Sequence, residues 1–209
     1  MKRRNFIATT VFGSLAGSHF LSDTFAQFPG DKGKAITNKI KKRPLKPFYI
    51  KPDNSPAYRG GKKIAFDQTN NQFSSFEIII PPKTMGPAPH VHKDLDEVMR
   101  VLKGTVTVMV GEKLFEVEEG GWHLRPHGIV HTFWNAGDEP AIFIDIYPNQ
   151  NFEVFLEEWI KLFDELAKRK ISPDSKEGRK RQDDLQAEWG ITMYHEQRKL
   201  LMEKHGLTN

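Results

Sequence analysis

PAPHVHKDLDEVMRVLKG (residues 87–104) and GGWHLRPHGIVHTFWN (residues 120–135) carry His90, His92, Glu97 and His131 at metal-ligand spacings. His90 and His92 are two apart, which on an extended strand turns both imidazoles to one face. Glu97 opens an apolar run five residues later, and His131 arrives on a second strand. Two nitrogens from one strand, a carboxylate from the next and a third nitrogen from across the fold can close on a single cation. Such a mixed imidazole and carboxylate shell suits one divalent Fe, Mn, Ni, Cu, Co or Zn ion and is poor for Ca or Mg.

Outward from these two stretches, the chain reads as short strands. Ile64 to Phe66, Phe73 to Ile80, Glu97 to Leu102, Thr105 to Val110, Lys113 to Glu118, Ile129 to Trp134 and Ala141 to Tyr147 are β-branched or aromatic runs. Residues 67–71, 81–89, 111–112 and 135–140 supply the turns between them. Many short strands at this spacing predict a sandwich or a barrel.

The two stretches resemble the paired motifs of the cupin superfamily. The second motif, G-x5-P-x-G-x2-H-x3-N, is met at every position by Gly120, Pro126, Gly128, His131 and Asn135. The first, G-x5-H-x-H-x3,4-E-x6-G, is met by His90, His92, Glu97 and Gly104, with its leading glycine missing and Gly86 standing closer to the histidines. The 15 residues between Gly104 and Gly120 match the compact, bacterial-type spacer. The resemblance implies an all-β double-stranded β-helix, the cupin jelly-roll barrel, over residues 58–148. It also implies that His90, His92, Glu97 and His131 bind the metal, and it raises dimerisation as a family expectation.

Alternation inward from Glu97 and His131 places Met99, Val101 and Phe133 on the cavity wall as substrate contacts. Either Phe76 and Ile78 or their neighbours Glu77 and Ile79 extend that wall. His127, inside the Pro126-Gly128 turn, is read either as a residue supporting the metal site from behind its ligands or as an exposed loop histidine. Asp94, Asp96, Arg100 and Arg125 are read as solvated, and Asp145 and Tyr147 reach the cavity only if the polar face of their strand turns inward.

Before the barrel, Arg3 and Arg4 precede an apolar, small-residue stretch that ends at Thr24-Phe25-Ala26. A basic start, an apolar middle and small residues at the cut form a secretory signal. The paired arginines resemble a twin-arginine signal, which exports folded proteins to the periplasm. Cleavage after Ala26 removes Lys2, Arg3, Arg4 and Asp23, so the formal charge falls from +4 to +2. No stable membrane span remains, because the apolar stretch is shorter than the roughly 20 residues a span needs. The chain has no cysteine, so its stability in an oxidising compartment cannot rest on disulfides. Residues 27–57 are rich in Lys and Pro and read as an extended linker, as a basic tether, or as an arm in which residues 47–50 pack on the barrel or on a second subunit.

After the barrel, residues 149–209 change period. Phe152, Phe155, Leu156, Trp159, Ile160, Phe163 and Leu166 form one helical stripe, with Asn149 or Asn151 as the expected cap. Ser172-Pro173 ends that helix, any helix within residues 174–188 is expected to be largely exposed because the stretch is so charged, and a last helix is expected from Met193 to Lys204. These helices read either as a lid or dimer element or as simple packing on one barrel end. No nucleic-acid module is present, since Arg59-Gly60-Gly61 occurs once, before a strand.

The functional expectation is an exported mononuclear-metal oxidoreductase of dioxygenase type, similar to quercetinase-like cupins, acting on a small organic substrate. Glu97 serves in it as ligand and, on loosening, as the catalytic base. A non-redox isomerase or lyase, and a small-molecule or carbohydrate-binding protein without turnover, are the alternatives.

Overall fold

A computed structural model describes residues 43–53, 60–148 and 150–208. The expected export signal and most of the expected linker lie outside these residues. Residues 43–53 are exposed throughout, with Phe48, Tyr49 and Ile50 at 50%, 77% and 46% of full exposure. Arg43 in this segment pairs with Asp67, and its carbonyl accepts from the Asn70 side chain at 3.0 Å.

The barrel strands are β1 (Gly61–Ile64), β2 (Phe73–Ile80), β3 (Thr84–Met85), β4 (His90–His92), β5 (Glu97–Lys103), β6 (Val106–Val110), β7 (Lys113–Val117), β8 (Trp122–Arg125), β9 (His131–Asn135) and β10 (Ala141–Pro148). Helices α1 (Phe152–Lys168) and α2 (Lys176–Glu188), strand β11 (Ile191–Met193) and helix α3 (His195–His205) follow. All pairings are antiparallel. One sheet runs β1-β2-β10-β5-β8, the other β11-β4-β9-β6-β7, with β3 added on β9. Two facing sheets with the metal-motif strands divided between them are the double-stranded β-helix that the motifs implied.

Alternation decides what enters the space between the sheets. In β5, Glu97, Met99 and Val101 are buried while Val98 and Arg100 are partly open, and β10 repeats the pattern with Ala141, Phe143, Asp145 and Tyr147 inside. Met99, Val101, Val106, Val108, Phe133 and Phe143 form the central cluster, and Ile78 packs against it. Phe76 packs on a second cluster at one end of the barrel. Phe76 and Ile78, rather than Glu77 and Ile79, therefore face inward.

Three sequence expectations are corrected. Ile64 to Phe66 is not one strand, because β1 ends at Ile64 and Phe66–Thr69 winds into a 3-10 turn. β8 was unmarked, since Trp122 and Leu124 are exposed and only Arg125 is fully buried, which leaves no apolar-inside pattern to read. The last helix starts at His195, and residues 191–193 are a strand paired with β4.

The α1 stripe holds at Phe152, Phe155 and Leu166, with Phe152 and Phe155 joining Leu95, Tyr147 and Ile191 in the second cluster, whereas Ile160 is exposed and Leu162 and Glu153 are buried. Asn151 stands at its N-cap but makes no side-chain capping bond. Helix α2 exists and is mostly exposed. No helix among the described residues is long and apolar enough to cross a membrane.

Candidate metal centre

His90 and His92 project from β4, Glu97 begins β5 and His131 begins β9, so three strands deliver the four side chains. β4 touches β9 through the pair His90↔His131. One ligand-capable atom from each residue lies within 4.8 Å of the other three, and all four residues are buried. Bonds of roughly 2.1 Å to a common ion place ligand atoms no more than about 4.2 Å apart, a small contraction from this span.

The backbone selects which nitrogens face the centre. His90 Nδ1 lies 2.9 Å from the Ala88 carbonyl and His131 Nδ1 lies 2.9 Å from the Ile129 carbonyl. A carbonyl only accepts, so both Nδ1 atoms carry the proton and both Nε2 atoms present a lone pair. His131 Nε2 then lies 2.8 Å from Glu97 Oε2, and neither atom has an aligned hydrogen-bond partner. Two lone-pair atoms this close repel unless a cation or a proton stands between them. His92 Nε2 lies 3.7 Å from Glu97 Oε1, and both His92 ring nitrogens are buried without a partner. Unpartnered buried donor atoms that converge on one point are what a metal ion satisfies.

Electrostatics favours the deprotonated forms that a metal needs. His90 is lowered from its ordinary 6.5 to about 3, first by burial and then by the neighbouring His131. His92 is lowered to about 4, again first by burial. Burial alone would raise Glu97, but the charges around it, the Arg125 guanidinium foremost, outweigh it and hold the carboxyl well below the usual carboxylate range. Glu97 is thus anionic at any working pH. Using it as a base requires Arg125 to release it.

Arg125 is the main departure from the sequence reading. It is 0% exposed, not solvated: its Nε lies 3.4 Å from Glu97 Oε2 and its Nη2 donates to Asp145. Register explains this, because β5 lies between β8 and β10, pairing Glu97 with Arg125 on one side and Met99 with Asp145 on the other. Asp145 and Tyr147 do turn inward, with the Tyr147 hydroxyl donating to Asp145 at 3.3 Å. Burial pushes Asp145 up to about 6 against the pull of Arg125, and burial together with Asp145 raises Tyr147 well above its ordinary value. Their inward parity was readable in the sequence; their partner was not.

His127 does not support the ligands. Its ring is 55% exposed and its Nδ1 meets Asp96 at 2.7 Å, because the tight turn that contains it points the side chain outward. What that turn gives the site is backbone: Gly128, at φ +72°, donates its N–H to the His92 carbonyl at 2.8 Å. Gly86, the glycine that misses the motif spacing, has another purpose, since a Cβ there would come within 2.5 Å of the Phe133 ring.

Met99, Val101 and Phe133 do face inward, but as packed core, with Phe133 edge-on to Phe143 and 5.2 Å beneath Arg125. A surface pocket of about 500 Å³ opens between β7 and β8, lined by Val110, Phe115, Leu124, Pro126 and Ile129 together with His123, Glu112 and Lys113, none of them a ligand. His123 stands edge-on to Phe115 across this gap. Its pKa is lowered by burial and then by Arg125 and His131.

Residues 76–147 match the family model described as Cupin domain (Cupin_2). A rice protein (Oryza sativa subsp. japonica) described as germin-like, 9-2, is 30% identical over 88 residues, 39% of this chain and 41% of its own length. The chain thus spans less than half of that curated relative. Among solved structures, a cupin protein of Bacteroides fragilis aligns at 17% identity over 51% of this chain and 86% of its own, with a TM-score of 0.41. A double-stranded β-helix protein of Klebsiella pneumoniae aligns at 23% identity over 49% and 85%, with a TM-score of 0.39. The barrel is a cupin domain.

Proposed function

We propose that this cupin domain holds one divalent transition-metal ion through His90, His92, Glu97 and His131 and acts as a mononuclear oxidoreductase of dioxygenase type on a small organic substrate. The observation that supports metal binding above all is the 2.8 Å approach of two buried lone-pair atoms, His131 Nε2 and Glu97 Oε2, with both histidine tautomers set by backbone carbonyls. A bound ion would supply Lewis acidity and, if redox-active, one-electron chemistry.

The chain's own residues do the rest. Arg125 keeps Glu97 ionised and aimed, and the Ala88 and Ile129 carbonyls hold His90 and His131 in their ligating tautomers. The apolar side chains of Phe115, Leu124 and Ile129 in the pocket between β7 and β8 suit a flat organic molecule better than a sugar. The redox reading is supported by this apolar approach together with a donor set that accommodates Fe, Mn, Ni, Cu or Co. In the same reading the chain is exported folded to the periplasm, supported by Arg3, Arg4 and the apolar stretch up to Ala26.

One observation favours a non-redox isomerase or lyase instead. Asp145, raised to about 6, and Tyr147 form a buried proton-holding pair one residue removed from Glu97 through Arg125. Metal analysis by mass spectrometry on protein from its own host, followed by oxygen-uptake assays with flavonols, catechols and diketones, separates the two. A protein fully loaded with a redox-active metal that consumes no oxygen with any of them refutes the dioxygenase reading.

A further inference from the structure

Three of the four ligand side chains are held by polar contacts. His90 and His131 donate to backbone carbonyls, and Glu97 sits against Arg125. His92 has neither, as both of its ring nitrogens lack a hydrogen-bond partner. Besides the other three ligand side chains, what packs on its ring is apolar and comes from residues beyond the cupin match. Phe152, at the start of α1, meets the His92 ring edge-on at 5.2 Å between centroids. Ile191 of β11 is the cross-strand partner of His92, and Met193 is that of His90.

The backbone of β4 depends on the same extension. Toward the barrel it has one strand bridge, His90↔His131, and the Gly128 N–H donating to the His92 carbonyl; on its other side β11 pairs with all three of its residues. The ladder continues beyond both ends, with Lys93 N–H donating to the Gly190 carbonyl and Tyr194 N–H to the Pro89 carbonyl, each at 2.8 Å. Arg198 of α3 donates to the Gly86 carbonyl, and Thr208 N–H to Lys83 at 2.8 Å. Leu207 closes over Met85 and Trp134. The C-terminal segment is therefore zipped along residues 83–93, the strand that carries two ligands and the loop leading into it.

We infer that the C-terminal extension is a working part of the metal centre: Phe152 and Ile191 position the His92 ring, the one histidine ligand that no hydrogen bond orients. Apolar walls do for His92 what carbonyls do for its neighbours, leaving this ligand restrained by shape alone. The inference rests on the proposed metal binding, and its test separates the two.

The full chain is titrated with Co(II), reading affinity by chelator competition and ligand geometry by visible absorption. Phe152→Leu and Ile191→Ala are compared with Phe155→Leu, which changes the same apolar cluster at a residue stacked on Phe152, and with Ile191→Val as the conservative variant. Loss of a partner that orients a ligand weakens metal binding about 10- to 100-fold. That loss is expected for Phe152→Leu and Ile191→Ala, with visible bands shifted toward those of His92→Ala, while Phe155→Leu and Ile191→Val keep the parent affinity and spectrum. If Phe152→Leu does not fold, Ile191→Ala with its valine control carries the test. Unchanged affinity and spectrum in a folded Ile191→Ala overturns the inference. So does an equal loss in Phe155→Leu, which would reduce the effect to general loosening of the cluster. A parent chain that takes up no Co(II) overturns the metal-binding reading and this inference with it.

Discussion

Replacing Arg125 by methionine keeps most of the side-chain length and removes the charge that links two buried carboxylates. Its Nε lies 3.4 Å from Glu97 Oε2. At an effective dielectric near 20, this separation corresponds to roughly 5 kcal/mol of attraction. Removing one partner of a buried pair typically costs about 3–5 kcal/mol, because the remaining charge stays desolvated. Arg125→Met should therefore cost the metal-free protein about 4 kcal/mol, a large share of the roughly 5–15 kcal/mol that holds a domain together.

Metal changes the balance. A divalent ion at the four ligands neutralises Glu97 without help from Arg125, so the variant should gain more stability from metal than the parent does. Asp145 remains uncompensated, and the rescue should be partial. Urea unfolding at pH 7 with and without saturating metal measures both effects, since a ligand that binds only the folded state stabilises it by an amount that grows with the logarithm of its concentration relative to Kd. If the metal-free variant unfolds at the parent's midpoint, or if metal stabilises both proteins equally, the coupling of Arg125 to Glu97 is refuted.

Removing a ligand should empty the site: Glu97→Gln and His131→Ala are each expected to purify with substoichiometric metal while retaining the barrel's circular dichroism, and full occupancy in either would refute the four-residue site. The metal-free protein should lose stability on acidification. Folded His90 and His92 titrate at about 3 and about 4, below their ordinary 6.5. Depressed folded values mean that the stability is present above pH 6.5 and is lost as the pH falls toward 4, where the unfolded chain takes up protons that the folded chain refuses. Asp145, raised to about 6, acts with the opposite sign, losing stability as the pH rises through 6. Urea midpoints that do not fall between pH 6.5 and 4 would contradict this. Gly86→Ala should push the Phe133 ring out of its place beneath Arg125 and cost about 1–3 kcal/mol by overpacking; an unchanged melting temperature would show that the ring has room to yield.

His90, His92 and Glu97 were legible in the sequence because strand geometry converts spacing directly into direction: side chains two apart share a face, whatever the rest of the chain does. His131 was legible through the turn that precedes it, and α1 through a stripe whose period needs no partner to be recognised. The inward face of β10 was readable as a parity, though the same parity would have suited a sheet with a solvated polar face.

Arg125, β11 and the surroundings of His92 were decided only by tertiary structure. Arg125 lies between Leu124 and Pro126 with no local sign of burial, and it is buried because register sets it against Glu97 while β10 brings Asp145 from 20 residues away. Ile191-Thr192-Met193 is too short to show a period, and it becomes a strand because β4 offers it an open edge. A residue's spacing along the chain is a local property, whereas its charge partner and its burial belong to whichever distant segment packs against it.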